Sequence, residues 1–213
     1  MVISFLGGES LKIQFGDIVI AYNPISKDSK LKSTSFGADI ALVSLDHEDM
    51  NGVANASRGD RAPFVVNGPG EYEIKDVYIK GYPSHSKYGG KDRLNTIYTV
   101  SLEGMNLCLL GALNDHRLPD ETIEDLEELD ILFTPIGGDG VLGPAEAYKL
   151  AVQLEPRIIV PIHHGAVGSA NTLKTFLKEG GEDAPETLEK LTIRKKDLEG
   201  KEGDIVVLSP TTT

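Results

Sequence analysis

Tryptophan is absent from the 213 residues, and cysteine occurs once, at Cys108. One thiol cannot close an internal disulfide or supply a Cys-rich zinc module. Long apolar runs are missing too: no stretch approaches the roughly 18 apolar residues of a membrane-spanning helix. The opening residues, Met1-Val2-Ile3-Ser4-Phe5-Leu6, lack a basic segment and a long apolar core, so they do not read as a secretory signal. Positive charge is scarce: 21 Lys and Arg stand against 33 Asp and Glu, a net charge of −12. A surface that grips phosphates needs a basic footprint, which disfavours nucleic acid and anionic membrane as partners. The expectation is a cytoplasmic, acidic protein whose partner is a small-molecule substrate or ligand of unknown identity.

What is present is ordinary for a globular chain. Hydrophobic residues make up 40% and charged residues 25%, too apolar for disorder. A chain this long buries about 70% of its unfolded surface, and no internal repeat or low-complexity segment divides it. A single domain over residues 1–213 is expected. Short β-branched or aromatic runs at 2–6, 11–15 and 17–22, broken by Gly7-Gly8 and Gly16, read as strands. Residues 39–44 (DIALVS) form a nearly continuous apolar run, the pattern of a strand buried on both faces. Further strands are predicted at 64–66, 76–82, 96–102, 106–110, 131–134, 157–160 and 204–208. Helices are predicted at 119–128, 144–154 and 169–178. In the second of these Ala147, Leu150, Ala151 and Leu154 form one apolar stripe behind Pro144, the residue favoured in a first turn. Strands first and β-α-β alternation later imply helices packed outside sheets.

Of the five histidines, His47, His85 and His163 each follow a predicted strand, in Leu45-Asp46-His47-Glu48-Asp49-Met50, Pro83-Ser84-His85-Ser86 and Pro161-Ile162-His163-His164. Strand ends share a rim, and imidazoles gathered there, with Asp49, are candidate metal ligands or general bases. Gly138-Asp139-Gly140-Val141-Leu142-Gly143 has the G-x-G-x-x-G spacing between a strand and a helix. The acid that would hold a ribose hydroxyl at the end of the next strand is missing, so a dinucleotide site is disfavoured. Cys108 lies in an apolar run and reads as a buried, inert thiol.

The order of motifs resembles the metallo-β-lactamase-fold superfamily, and within it the short bacterial and archaeal branch of zinc-dependent hydrolases. Phe5-Leu6-Gly7-Gly8-Glu9-Ser10 falls at that family's first turn, and Ile20-Ala21-Tyr22-Asn23-Pro24 at its Ile-Asp-Pro strand end. Its His-x-His-x-Asp-His signature falls on Leu45 to Met50, and its Gly-Asp turn on Gly111-Ala112. Asp130 to Gly138 and Val160-Pro161-Ile162-His163 match its closing strand motifs. The resemblance implies an α/β fold, the four-layer αββα sandwich. It also implies a two-metal centre of which four of seven ligand positions survive: His47, Asp49, His85 and His163. Leu45, Met50 and Ala112 stand where two histidines and the bridging aspartate would be, so no intact two-metal cluster is expected. Two readings follow. The survivors regroup around one zinc, manganese or iron, with His116 able to swing toward Ala112. Asp49 then ligates the metal or acts as base toward its water, in hydrolysis of an ester, amide or phosphoester. Alternatively the pocket is metal-free, and the chain is a non-catalytic binding or scaffold protein. A nucleotide-binding module using residues 138–143 is a third reading. On either of the first two, His47, Asp49 and His163 belong in one cluster.

Overall fold

The computed structural model describes residues 1–183 and 185–211. The chain begins with β1 (Val2–Gly7), β2 (Ser10–Phe15), β3 (Ile18–Tyr22), β4 (Ile40–Leu42) and β5 (Phe64–Val66). An antiparallel run follows: β6 (Gly70–Ile74), β7 (Val77–Ser86), β8 (Arg93–Leu102) and β9 (Met105–Leu109). Helices then alternate with strands as α1 (Asp120–Asp125), β10 (Ile131–Pro135), α2 (Pro144–Leu154), β11 (Ile158–Ile162) and α3 (Thr172–Glu179). Short strands finish it: β12 (Thr187–Leu188), β13 (Leu191–Thr192), β14 (Asp204–Ile205) and β15 (Val207–Leu208). They assemble into one sheet ordered β13-β1-β2-β3-β4-β5, a second ordered β14-β11-β10-β9-β8-β7-β6, and a small β12-β15 pair.

Alternation along the strands explains the layering. Ile131, Phe133 and Val160 face inward and meet Ile3, Phe5, Ile13 and Leu42 of the first sheet. Their neighbours Leu132 and Ile159 face outward, with Cys108, and pack under Leu150, Ala151 and Phe176 of the helices. Period-two alternation with both faces apolar produces the unbroken hydrophobic runs seen in the sequence. On the outer face of the first sheet, Ala21, Ala41 and Ala56 pack with Phe36 and Val53. Small side chains there admit a loop and the 3-10 turn Val53–Ala56, which take the place of a full helical layer.

The predicted helix 144–154 forms as Pro144–Leu154, its stripe of Ala147, Leu150, Ala151 and Leu154 fully turned inward. The predicted helix 119–128 is shorter, ending at Asp125; Glu128 soon after has φ +58°, which α-helix does not tolerate. The strand expected at 76–82 runs on to Ser86, because pairing with β8 continues as far as Ser86 opposite Arg93. That extension changes the surroundings of His85.

Strand directions gather the loops on one rim. β3, β4 and β5 are parallel, and β1 shares their direction because both β1 and β3 are antiparallel to β2. In the second sheet β9, β10 and β11 are parallel, and β7 runs with them because β8 opposes both β7 and β9. The C-terminal ends of β1, β3, β4, β7, β9, β10 and β11 therefore open toward shared loops. The Leu45–Asn95 bridge and the Thr96 N–H bond to the Ser44 carbonyl, 2.9 Å, join the two sheets there. No helix among the described residues is long and apolar enough to cross a membrane.

Candidate functional site

His163 is the first residue after β11, and its backbone stands at φ +58°. For a residue with a β-carbon that conformation costs about 1–2 kcal/mol, and a 2.7 Å bond from its N–H to the Gly8 carbonyl holds it. The side chain is 1% exposed, and its Nδ1 lies 2.8 Å from Glu9 Oε1, itself fully buried. Glu9 comes from the turn after β1. Its other oxygen accepts from Asn23 Nδ2 at 3.1 Å, and Asn23 also bonds the Ser44 hydroxyl (2.8 Å) and backbone N–H (2.8 Å). The Nε2 of His163 is buried and has no hydrogen-bond partner among the described residues.

Asp49 and His47 lie in the loop after β4. The Asp49 N–H donates to His47 Nδ1 at 3.1 Å, and that nitrogen is 3.5 Å from Asp49 Oδ2. The Asp49 carboxylate accepts from the Ser29 hydroxyl on one oxygen and from the Tyr88 hydroxyl, at 2.7 Å, on the other. Tyr88 is the centre of the site. Its ring lies edge-on to His47, centroids 4.9 Å apart at 65°, and to His163, also 4.9 Å, at 90°. Leu45, Met50, Ala112 and Val141 form a buried apolar cluster on which the ring packs. Burial pushes the Tyr88 hydroxyl well above its ordinary pKa, and the Asp49 carboxylate beside it adds to the effect. The phenol stays protonated and remains the donor to Asp49.

The structure thus brings His47, Asp49 and His163 around one aromatic ring. It does not bring in His85. That side chain is exposed, while Ser84 and Ser86 on either side are buried, as period-two alternation in an extended β7 requires. His116 Nδ1 lies 4.0 Å from Asp115 and 3.9 Å from Glu146. His164 packs on the Phe5 ring at 5.6 Å, and burial lowers its pKa. Ala112 is fixed from below: its N–H donates to Asn95 Oδ1 at 2.9 Å, and Asn95 Nδ2 bonds Ser84 and the Leu110 carbonyl. Among the described residues, no group of three or more His, Cys, Asp and Glu side chains is placed to hold a metal ion.

Residues 138–143 cover the site. The Gly138 N–H bonds the Leu142 carbonyl (3.0 Å), and the Leu142 N–H bonds the Leu113 carbonyl (2.7 Å). Val141 enters the apolar cluster beneath Tyr88, and the Gly140 carbonyl accepts from the Lys87 N–H at 3.0 Å. The Val141 N–H is likewise bonded, to the Gly138 carbonyl (3.2 Å). Amides engaged in this way are not free to cradle a phosphate, and Gly140 serves close packing against the Lys87 carbonyl. Cys108 is fully buried, and burial pushes its thiol up. Sequence reasoning missed Tyr88, Glu9, Asn23 and Asn95. Glu9 lies inside the first turn of the family resemblance and was legible there; Tyr88 carries no such signal.

Two facing sheets with helices outside, and loops gathered on one rim above a His and Asp cluster, define the metallo-β-lactamase class of α/β sandwich. Residues 2–163 match the beta-lactamase superfamily domain, and the chain belongs to that family. It is 25% identical over 191 residues to the UPF0173 metal-dependent hydrolase of Natranaerobius thermophilus, covering 77% of this chain and 83% of that one. A crystal structure from Thermotoga maritima, assigned to the Zn-dependent hydrolases of the metallo-beta-lactamase superfamily, superposes with a TM-score of 0.76. Identity there is 26%, and 97% of each chain is covered. A metallo hydrolase of Ignicoccus hospitalis shares the fold at TM-score 0.63 and 18% identity, over 91% of this chain and 99% of the other.

Proposed function

We propose that this chain is a metal-free member of its family, a binding or scaffold protein whose ancestral metal pocket has been filled. The observation that carries this reading is the position of Tyr88, its ring against both His47 and His163 and its hydroxyl on Asp49. A two-metal centre needs a ring of N and O donors and room for a water between the ions. Leu45, Met50 and Ala112 supply no donor, and with Val141 they make an apolar seat for the phenol ring. This donor set does not fit a two-metal centre. His163 Nδ1 is engaged by Glu9, an arrangement that orients an imidazole whether or not a metal sits on the other nitrogen.

A second reading keeps one metal, since His47, Asp49 and His163 all touch the same ring. Tyr88 would have to leave, and His85, exposed on β7, would take no part. Elemental analysis of protein expressed with added zinc, manganese and iron separates the two readings. The expected result is well below one metal per chain, with no hydrolysis of nitrophenyl esters or bis-nitrophenyl phosphate above buffer. Near-stoichiometric metal in the native protein would overturn the metal-free reading.

A further inference from the structure

We propose that the space filled by the Tyr88 side chain is a binding site for a small uncharged or cationic phenol, with Tyr88 as its resident, displaceable occupant. This rests on the metal-free reading above and deepens it. The seat has the features that a phenol requires. Leu45, Met50 and Val141 offer an apolar bed, two imidazoles clamp the ring edge-on, and a carboxylate at the far end accepts the hydroxyl. Aromatic rings favour such T-shaped contacts, worth roughly 0.5–1.5 kcal/mol beyond the area buried. The buried Nε2 of His163 has no hydrogen-bond partner among the described residues, so the resident ring leaves one polar atom of the pocket unused.

On this proposal the Tyr88 side chain swings out of the seat while the turn stays in place. Lys87, Gly89 and Gly90 are exposed and Tyr88 is half-buried. The backbone is held by the Lys87 N–H bond to the Gly140 carbonyl (3.0 Å) and the Tyr88 N–H bond to the Ser86 hydroxyl oxygen (3.1 Å). Gly89 and Gly90 have φ of +71° and +74°, values that glycine adopts without strain. Tyr88 is only half-buried, so the seat is partly open to solvent, and beside His47 lies an open depression lined by Ser26, Asp28, Asp46, Glu48, Asn51 and Arg93. Its three carboxylates against one guanidinium, with Asp49 inside, repel an anionic ligand and tolerate a neutral or cationic one.

The test uses the full chain and its Tyr88→Ala variant, with p-cresol and tyramine as probes. Toluene lacks the hydroxyl and 4-hydroxyphenylacetate carries a negative charge. By calorimetry the variant should bind p-cresol at least tenfold more tightly than the parent does. Toluene and 4-hydroxyphenylacetate should each bind the variant at least fivefold more weakly than p-cresol. A folded variant that millimolar p-cresol leaves untouched, or that takes toluene equally well, would overturn the proposal. Because a cavity made by truncation can bind an aromatic by itself, ring-labelled tyrosine in the parent decides whether Tyr88 is displaced, the Tyr88 signal being assigned with Tyr88→Phe. Titrated p-cresol should move that signal toward its value in free tyrosine, and no movement up to the solubility limit overturns the proposal. Metal analysis of the same samples keeps the two readings apart. Metal-free protein that ignores p-cresol sinks this inference alone, whereas stoichiometric zinc in the parent sinks the reading beneath it.

Discussion

At the scale of single residues, the Tyr88 hydrogen bond ties Asp49 to the ring that fills the seat. A carboxylate has about four acceptor positions on its two oxygens, and those given to protein donors are not offered to a metal or a water. Here Ser29 and Tyr88 each donate to it, and His47 lies 3.5 Å away. Tyr88→Phe keeps the ring on its apolar bed and removes only the donor. A hydrogen bond to a charged group is worth about 1.5–3 kcal/mol; with Ser29 still in place, a loss of about 1–2 kcal/mol is expected from urea unfolding. The same substitution made on top of Asp49→Asn should cost clearly less, because a neutral amide accepts more weakly than a carboxylate. Strict additivity of the two changes would mean that the bond contributes nothing to stability.

At the scale of elements, the site depends on how closely two loops approach. A β-carbon placed on Gly140 would lie 2.4 Å from the Lys87 carbonyl oxygen and 2.7 Å from the Tyr88 nitrogen, and the residue stands at φ +94°. Gly140→Ala should therefore lift the Tyr88 turn and destabilise the protein by roughly 1–3 kcal/mol. It should also raise the accessibility of the Tyr88 ring to iodination. Gly143→Ala serves as the control, since its nearest neighbour would be a glutamate oxygen at 3.8 Å. If the two variants iodinate alike, the glycine loop does not hold the turn in place. The contrast also shows what a sequence can disclose. The stripe of Ala147, Leu150, Ala151 and Leu154 has a period, and α2 was legible to the residue. The outward face of His85 was not, because the run of β7 past Tyr82 comes from pairing with β8 rather than from local preference. His47, Asp49 and His163 could be read from strand ends and motif order. A Tyr-Gly-Gly turn has no periodicity, and nothing local reveals that its ring reaches across the rim to two histidines.

At the scale of the whole molecule, parallel strand directions in both sheets deliver all these loops to one rim whatever side chains they carry, so a change of chemistry need not disturb the scaffold. That independence can be measured by rebuilding the two-metal ligand set as far as the rim allows, six of its seven positions, since His85 faces outward. Leu45→His, Met50→His and Ala112→Asp would supply the donors that the family resemblance places there. Leu45 and Met50 are each 1% exposed, so replacing them forfeits about 1.5–3 kcal/mol of burial apiece, recovered in part when metal binds. The triple variant alone should gain little affinity, because Tyr88 still stands between His47 and His163 and holds Asp49. Adding Tyr88→Gly removes that occupant, and zinc affinity should then rise at least a hundredfold over the triple variant in calorimetric titration. The order of the gains is the test. Tight zinc binding by the triple variant with Tyr88 intact would mean that the ring yields to metal unaided, and that the missing donors alone keep the native pocket empty. No gain in a folded quadruple variant would mean that the rim itself has moved from the geometry its strand directions imply.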